Sequence, residues 1–197
     1  HSYVTLMGEN NKPLLASCYI TDVTKYLINE ENLYEKTHKD ELTKLFNRYA
    51  LNYHFEIHGG NTPILGFYFD IDNFKKYNDT FGHEIGDEVL VQLSKNLKKL
   101  VNENFKVYRV GGDEFFILAF NTPLTEIDNL AKKISNCILN LDIDELDVPL
   151  SLSIGCAYTK SNISNKSELF IKEADRLMYV SKENGKNTIT TGEFIVF

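Results

Sequence analysis

Residues 107–120 read VYRVGGDEFFILAF. Two apolar runs rich in β-branched and aromatic residues flank Gly111 and Gly112, a pattern that predicts a β-hairpin whose glycines take the positive-φ positions of a tight turn. Asp113 and Glu114 stand where the second strand begins. Such a turn holds two carboxylates beside backbone without side chains, so it can approach a phosphate or a metal closely, although an ordinary solvated turn can have the same composition.

The composition is that of a soluble globular protein. The chain has 197 residues, of which 43% are hydrophobic and 25% charged, enough for one domain of catalytic size with an appended segment. The formal net charge of −7 argues against a surface that binds nucleic acid, which requires a basic face. A small anionic ligand would therefore need local cations or a metal.

The cysteines and the hydropathy pattern favour a cytoplasmic setting. Cys18, Cys137 and Cys156 are odd in number and have no C-x-x-C spacing, so neither a disulfide framework nor a zinc site is predicted. No apolar run approaches the length of a membrane span, and no signal peptide is visible, so this fragment is not expected to contact a membrane. Because the chain opens with His1, we expect a longer protein, whose preceding region leaves room for a membrane tether.

The N-terminal strands are expected either to pack on the main domain or to be the end of a preceding domain. Residues 2–7 and 14–21 look like a strand hairpin, and residues 1–24 resemble the end of a PAS sensor domain. Residues 25–39 lack Gly and Pro and are predicted to form a linker helix. Leu27, Tyr34 and Glu41 recur at a spacing of seven, which is typical of pairing with a partner's helix, but a single solvated helix fits equally well. The main domain is expected over residues 40–197.

Residues 63–71 are almost purely apolar, which predicts a strand buried on both faces. Two acids, Asp70 and Asp72, lie at its end, where an acid is costly unless it is paired, protonated or bound to a metal. Asp72 is interpreted as the N-cap of the next helix. Asp70 has no such structural role and is the stronger functional candidate.

The rest of the chain alternates helices and strands. One short helix is predicted to end near Gly82, an amphipathic helix to begin at Gly86, and the last helix to stop with Gly185 in the C′ position. Because one strand pair is a tight hairpin, we predict an α+β fold: a mixed, largely antiparallel sheet with the hairpin in its middle and helices on both faces. Further strands are predicted at residues 150–158, 188–190 and 194–197.

If the strand that ends at Asp70 lies beside the hairpin, Asp70, Asp113 and Glu114 converge. Like charges placed together cannot all be ionised without a cation, and a few hard oxygen ligands favour Mg²⁺ or Mn²⁺ over zinc. The N-terminus of the helix that follows Asp72 would add an anion site. Carboxylates, a metal and a phosphate site together indicate nucleotidyl or phosphoryl transfer.

Five blocks of the sequence resemble the GGDEF-domain diguanylate cyclases over roughly residues 40–189. In the family's order they are DELTKLFNR, FDIDNFKKYNDTFGHEIGDEVL, RVGGDEF, SIGCA and ADRLMYVSKENGKN. The resemblance implies a fold like that of nucleotidyl cyclases and polymerase palms. It also implies synthesis of cyclic di-GMP from two GTP molecules by a homodimer, with two Mg²⁺ or Mn²⁺ ions in each active site.

The resemblance implies a metal role for four positions. Asp70 is expected to bind the ions through its side chain and Ile71 through its carbonyl. Asp113 is expected to bind an ion and to accept the proton of the 3′-hydroxyl. Glu114 would help hold the second ion, in a division of labour usual for such displacements.

The resemblance also implies substrate contacts. Asn78 and Asp87 match positions that read the guanine edge, and His83 lies in the same segment, although a structural histidine is as good an explanation. Lys182 and Lys186 match cations that approach the terminal phosphates, with a solvated helix-end lysine as the alternative. The family usually has Arg at the second position, so Lys186 keeps the charge but not the bidentate fork.

One window departs from the family's pattern. Many members carry an Arg-x-x-Asp pair before the turn, which binds product and inhibits the enzyme. Here Asn102 and Phe105 stand in those places, and neither can replace its counterpart. We therefore expect little product inhibition, unless Lys98, Lys99 or Lys106 rebuilds a site.

Three other functions compete with an active diguanylate cyclase. The first is a catalytically silent module that binds nucleotide or dimerises, but the motif acids and glycines are intact. The second is a cyclase with relaxed base choice, against which Asp87 argues. The third is an interaction domain linked to a PAS domain.

Overall fold

The structure, a computed structural model, describes residues 2–7, 10, 13–19, 22–60, 62–141, 143 and 149–196. Within it the chain divides into two units, His1–Glu35 and Lys36–Phe197. None of the described helices combines the length and the apolar composition that a membrane-spanning segment requires.

The first unit holds a two-stranded antiparallel sheet. β1 (Ser2–Met7) pairs with β2 (Pro13–Tyr19), and α1 (Thr24–His38) begins in this unit. Residues 20 and 21, predicted to end the second strand, and most of the turn at residues 8–13 lie outside the described residues. The PAS relationship of residues 1–24 and the linker role of residues 25–39 stay predictions.

A five-stranded sheet forms the centre of the second unit. Its strands are β3 (Ile64–Ile71), β4 (Phe105–Arg109), β5 (Glu114–Phe120), β6 (Leu152–Thr159) and β7 (Ile189–Glu193). The strand order is β4-β5-β3-β6-β7, and only the β6–β7 pair is parallel. The prediction of a mixed, largely antiparallel sheet is confirmed. The prediction that the hairpin lies in the middle is wrong, because β3, buried along its whole length, takes that place and pairs on both sides.

Helices cover both faces of this sheet, as predicted. α2 (Arg48–His58) and α6 (Ser167–Glu183) pack on one face. α3 (Phe74–Phe81), α4 (His83–Lys98) and α5 (Ile127–Leu139), which follows a short 3₁₀ turn at Leu124–Glu126, pack on the other. A hydrophobic core lies on each face of the sheet, and alternate residues of β3 point into one or the other. Phe67 and Phe69 face α3 to α5, whereas Tyr68 faces α2 and α6. Each buried aromatic contributes about 1.5–3 kcal/mol.

One glycine ends α6, and another allows α6 to pack closely against the sheet. Gly185 follows the C-cap Asn184 with φ of 105°, so the predicted C′ position is confirmed. On β6, a Cβ added to Gly155 would lie 2.1 Å from backbone atoms of Ala174 and Met178. The backbone of α6 therefore rests directly on the backbone of the sheet.

Two predicted boundaries are wrong. α4 begins at His83 rather than at Gly86, which lies buried inside its first turns, because Gly82, with φ of 89°, already ends α3 and starts α4. Residues 194–196 form no strand; β7 ends at Glu193, and Phe194 only donates its N–H to the Tyr158 carbonyl at 2.8 Å. Phe197, the last residue of that predicted strand, lies outside the described residues.

Candidate functional site

The end of β3 and the start of β5 bring acids to one end of the sheet. Asp70 is paired with Glu114 on β5 and with Ser153 on β6. Residues directly opposite each other in an antiparallel pair share a face, so these three side chains lie on the α6 side. Asp113 immediately precedes β5 and is close enough for its charge to raise the pKa of Asp70.

Asp70 is buried, and only one of its two carboxylate oxygens has a hydrogen-bond partner in the described structure. One carboxylate oxygen, Oδ2, pairs with Lys182 Nζ of α6, whereas Oδ1 is buried and has no hydrogen-bond partner in the described structure. Burial raises the pKa of Asp70 to about 6; Lys182 opposes this increase, and the charges of Asp113 and Asp72 add to it. The ionised carboxylate is therefore held at a cost and has an oxygen free for a ligand.

The Asp70→Asn variant is expected to be more stable than the wild type, by an amount that increases as the pH rises. The raised pKa means that the unfolded chain ionises first, so the wild type loses stability between pH 3.8 and about 6, and the Asn variant does not. The free energy of unfolding of the variant relative to the wild type should grow by about 2 kcal/mol from pH 4 to pH 7, at 1.36 kcal/mol per pKa unit. Urea unfolding at four pH values measures it.

A Glu88→Gln variant, which alters an exposed acid on α4, serves as the control and should show no such growth. A difference between the Asp70 variant and the wild type that is the same at every pH would contradict the prediction.

Asp72 is not the N-cap of α3, and that prediction is wrong. The N-cap is Asn73, which has left-handed backbone with φ of 61° and makes no side-chain cap bond. The Asp72 carboxylate instead accepts hydrogen bonds from Ser151 Oγ and Ser153 Oγ, each at 2.6 Å, and from Asn187 N at 3.0 Å. Three donors from distant parts of the chain outcompete the helix terminus.

The glycines of the turn do not serve the predicted purpose. Among the described residues, the glycines with positive φ are Gly82 and Gly185, so Gly111 and Gly112 are not in the left-handed region. The N–H of Gly111 donates to the Glu114 carbonyl at 3.3 Å. A Cβ on Gly111 would lie 2.3 Å from Glu114 Oε2, whereas Gly112 has open space around it. One glycine therefore makes room for a carboxylate, and the other leaves the tip accessible.

Glu114 is held on the α6 side by a tyrosine. Burial, and next the charge of Glu114, raise the pKa of Tyr68, so its hydroxyl stays protonated and donates to the Glu114 carboxylate. This contact places the Glu114 carboxylate on the α6 side, whereas Asp113 lines a cleft on the opposite side of the turn.

An arginine that the sequence analysis missed secures the turn. Arg109 donates from Nε and Nη2 to the Gly112 carbonyl, at 3.0 and 2.7 Å, and from Nη1 to Asp40 Oδ1 at 2.9 Å. Burial raises the pKa of Asp40, but hydrogen bonds from Thr43 and Arg109 outweigh it and hold the pKa below its ordinary value. An arginine at the end of a strand, two residues before the paired glycines, was the available signal.

A cleft of about 500 Å³ lies between α3, α4 and the turn. This volume is in the range of small-molecule sites. The cleft brings the predicted substrate residues Asn78, His83 and Asp87 together with Asp113. Lys182 and Lys186 are not among its lining residues: Lys182 pairs with Asp70, and Lys186 Nζ donates to Asn73 Oδ1. The lysines therefore lie with the β3 end rather than in the cleft.

Asn78 depends on a glycine that the sequence analysis assigned only to a helix start. Asn78 Oδ1 is buried and has no partner among the described groups. A Cβ on Gly86 would lie 1.8 Å from that oxygen. Gly86 therefore creates the space that the Asn78 amide occupies beside the cleft.

The donor chemistry at the β3 end fits a hard divalent cation. Among the described residues, no three His, Cys, Asp or Glu side chains already gather at metal-binding distance. The buried, unpartnered oxygen of Asp70 and the neighbouring Asp113 are nevertheless oxygen donors of the kind that Mg²⁺ and Mn²⁺ prefer. Lys182 provides the positive charge beside Asp70 in the structure.

Comparisons with known proteins agree with this geometry. The model of the diguanylate cyclase GGDEF domain matches residues 37–188. The cyclic di-GMP phosphodiesterase PdeR of Escherichia coli is 32% identical over 194 residues, which cover 96% of this chain and 28% of PdeR. The diguanylate cyclase DgcM of Escherichia coli is 35% identical over 183 residues, which cover 89% of this chain and 43% of DgcM. The chain thus spans less than half of either relative.

A solved structure shows the same fold. The coiled coil and GGDEF domain of DgcB from Caulobacter crescentus, in complex with c-di-GMP, matches with a TM-score of 0.77 and 23% sequence identity. The match covers 87% of this chain and 94% of that one.

Proposed function

Because the chain belongs to the diguanylate cyclase GGDEF domain family, we propose that it is an active cyclase, which condenses two GTP molecules into cyclic di-GMP and releases two pyrophosphates. The observation that carries the proposal is the intact turn, which places Asp113 beside a cleft of nucleotide size and near enough to the Asp70 carboxylate, with its unpartnered oxygen, for the two charges to interact.

The reacting end of the site would be built from β3 and β5. Asp70, the Ile71 carbonyl, Asp113 and Glu114 would hold two Mg²⁺ or Mn²⁺ ions, which supply charge neutralisation at the phosphates and activation of the 3′-hydroxyl. Asp113 accepts the hydroxyl proton as the 3′-oxygen attacks the α-phosphorus of the other GTP. The bond from that phosphorus to pyrophosphate breaks, so each of the two condensations releases one pyrophosphate.

The rest of the site would bind and orient GTP. In the cleft, the Asp87 carboxylate would accept hydrogen bonds from the guanine edge, the Asn78 amide would donate to it or accept from it, and His83 lies beside them. Lys182 and Lys186 approach the terminal phosphates. Lys182 would leave Asp70 when a divalent cation takes over the neutralisation of that carboxylate.

The proposed reaction needs two copies of the chain. Each copy presents one GTP, and the 3′-hydroxyl of one must reach the α-phosphate of the other, so we propose a homodimer. A cytoplasmic setting fits the buried free thiols of Cys137 and Cys156, whose pKa burial raises.

The competing function is a silent module that binds nucleotide without turnover. It is favoured by the 32% identity to a protein named a phosphodiesterase and by Lys182, which already neutralises Asp70. Incubating the purified chain with GTP and Mg²⁺ and identifying the product by mass distinguishes the two. We expect cyclic di-GMP and pyrophosphate; nucleotide binding with no product would favour the silent module.

Product inhibition is expected to be weak. Phe105 stands where an inhibitory site would have Asp, and its side chain is 4% exposed and part of the core. Asn102 is tied locally, since its Oδ1 accepts from Asn104 N at 2.9 Å. Lys98, one of the three lysines considered for a rebuilt product site, donates to the Thr43 carbonyl at 2.9 Å. Progress curves should therefore show no early plateau at micromolar cyclic di-GMP.

Calorimetric titration of cyclic di-GMP into the protein checks this expectation. Tight binding, with inhibition that disappears in Asn102→Ala but persists in Lys132→Ala, which changes an exposed lysine of α5, would show that a product site exists at residues 102–105.

A further inference from the structure

The turn after α6 has an unusual backbone. Gly185, Lys186 and Asn187 follow one another with φ of 105°, 67° and 46°. Residues other than glycine adopt the left-handed region at a cost, and such conformations persist only where the surroundings impose them. Something outside the turn therefore holds Lys186 and Asn187 in place.

The two residues after β3 supply two of those contacts, beside the N–H of Lys186, which donates to the Ser181 carbonyl of α6 at 3.1 Å. Asp72 Oδ2 accepts the N–H of Asn187 at 3.0 Å, and Asn73 Oδ1 accepts from Lys186 Nζ. Asp72 is itself 5% exposed and is braced by the hydroxyls of Ser151 and Ser153. Two adjacent residues at the end of β3 thus bind both the backbone and the side chain of the turn.

We propose that Asp72 and Asn73 are positioning residues, which hold the turn 185–187 so that Lys186 is presented to the polyphosphate tail of the bound nucleotide. The inference rests on the proposed function for the assignment of Lys186 to the phosphates. The hydrogen bonds that carry it are independent of that assignment.

Two observations argue against simpler roles, a metal ligand at Asp72 and a helix cap at Asn73. Both oxygens of Asp72 already accept hydrogen bonds within the chain, so Asp72 acts as an anchor rather than as a metal ligand. Asn73 is exposed and makes no cap bond to α3, so its side chain is not required to start that helix. Its side-chain amide oxygen instead accepts the hydrogen bond from Lys186.

The test measures how much the triphosphate adds to binding. Calorimetry gives the dissociation constants of GMP and of a non-hydrolysable GTP analogue with Mg²⁺, and their ratio reports the contribution of the two extra phosphates. Asn73→Gly removes the amide and keeps a residue that tolerates the left-handed backbone. We expect this variant and Asp72→Ala to lower the ratio about tenfold, the loss of one hydrogen bond to a charged group, with the GMP affinity unchanged.

Asp72→Asn is the conservative control. Its amide oxygen can still accept the Asn187 N–H, so we expect it to keep most of the ratio. If Asp72 acted through its charge, this variant would lose as much as Asp72→Ala, and that result would overturn the proposal. Asp72→Asn and Asn73→Gly carry the test if the Ala variant does not fold.

A double-mutant cycle supplies the decisive arm. In a Lys186→Met background, adding Asn73→Gly should change the ratio no further, since the two residues act through one contact. A further fall in that background, or an unchanged ratio for Asn73→Gly alone, would overturn the proposal. If the wild type binds neither nucleotide, the proposed function itself fails; a wild type that binds both, with unchanged ratios in the variants, refutes only the positioning role.

Discussion

Replacing either Asp70 or Asp113 by Asn is expected to lower the turnover of GTP by a factor on the order of 10³ or more, because each would remove a charged oxygen donor from the same metal pair. Asn keeps the shape of the side chain, and at Asp70 it removes an ionised group that burial already disfavours. The loss should therefore not come from unfolding. Initial rates of pyrophosphate release, together with circular dichroism of each variant, measure the effect.

Combining the two changes should cost little more than either alone, since groups that act as a unit are not additive. Asp79→Asn is the matched control, because this exposed acid lines the same cleft without an assigned role. Near-normal turnover with Mg²⁺ in either single variant would remove both residues from the proposed metal site.

Replacing Asp87 by Ala is expected to narrow the preference for GTP over ATP by about 100-fold, because a site built to pair polar groups rejects analogues that lack them. Asp87 lines the cleft beside Asn78, whose Oδ1 has no partner among the described groups. A carboxylate can accept from the guanine N1–H and exocyclic amine, whereas adenine offers no such pair on that edge. Competition kinetics with the two nucleotides give the ratio directly.

Gly86→Ala tests the same site through its neighbour. The added methyl would displace the Asn78 amide and leave Asp87 in place, so base preference should weaken while the metal requirement is unchanged. If both variants kept the wild-type preference, the base would have to be read by other residues.

Local patterns predicted the elements well, because they depend on near neighbours in sequence. The apolar run of β3, the two strands around Gly111 and the leucine spacing of α4 each indicate one element by itself. Asp70 could be singled out in the same way, since an acid that ends a buried strand is unusual wherever the strand lies in the sheet.

Contacts between distant residues were beyond such patterns. Asp72 looked like a helix cap because its best donors, Ser151 and Ser153, are about eighty residues away. The link from Arg109 to Asp40 spans 69 residues, and no spacing rule connects them. The position of the hairpin at the sheet edge likewise depends on which strands pair with β3, and local sequence does not determine that choice.

The close packing of α6 on Gly155 limits which residues this position of the domain can accept. Because main chain rests on main chain there, no change of rotamer can absorb added volume, and any side chain at that position would shift the helix as a rigid body. Lys182, one turn beyond Met178, would move with it. The position of the α6 backbone that carries Lys182, relative to the strand that carries Asp70, is thus set by this close packing of two backbones.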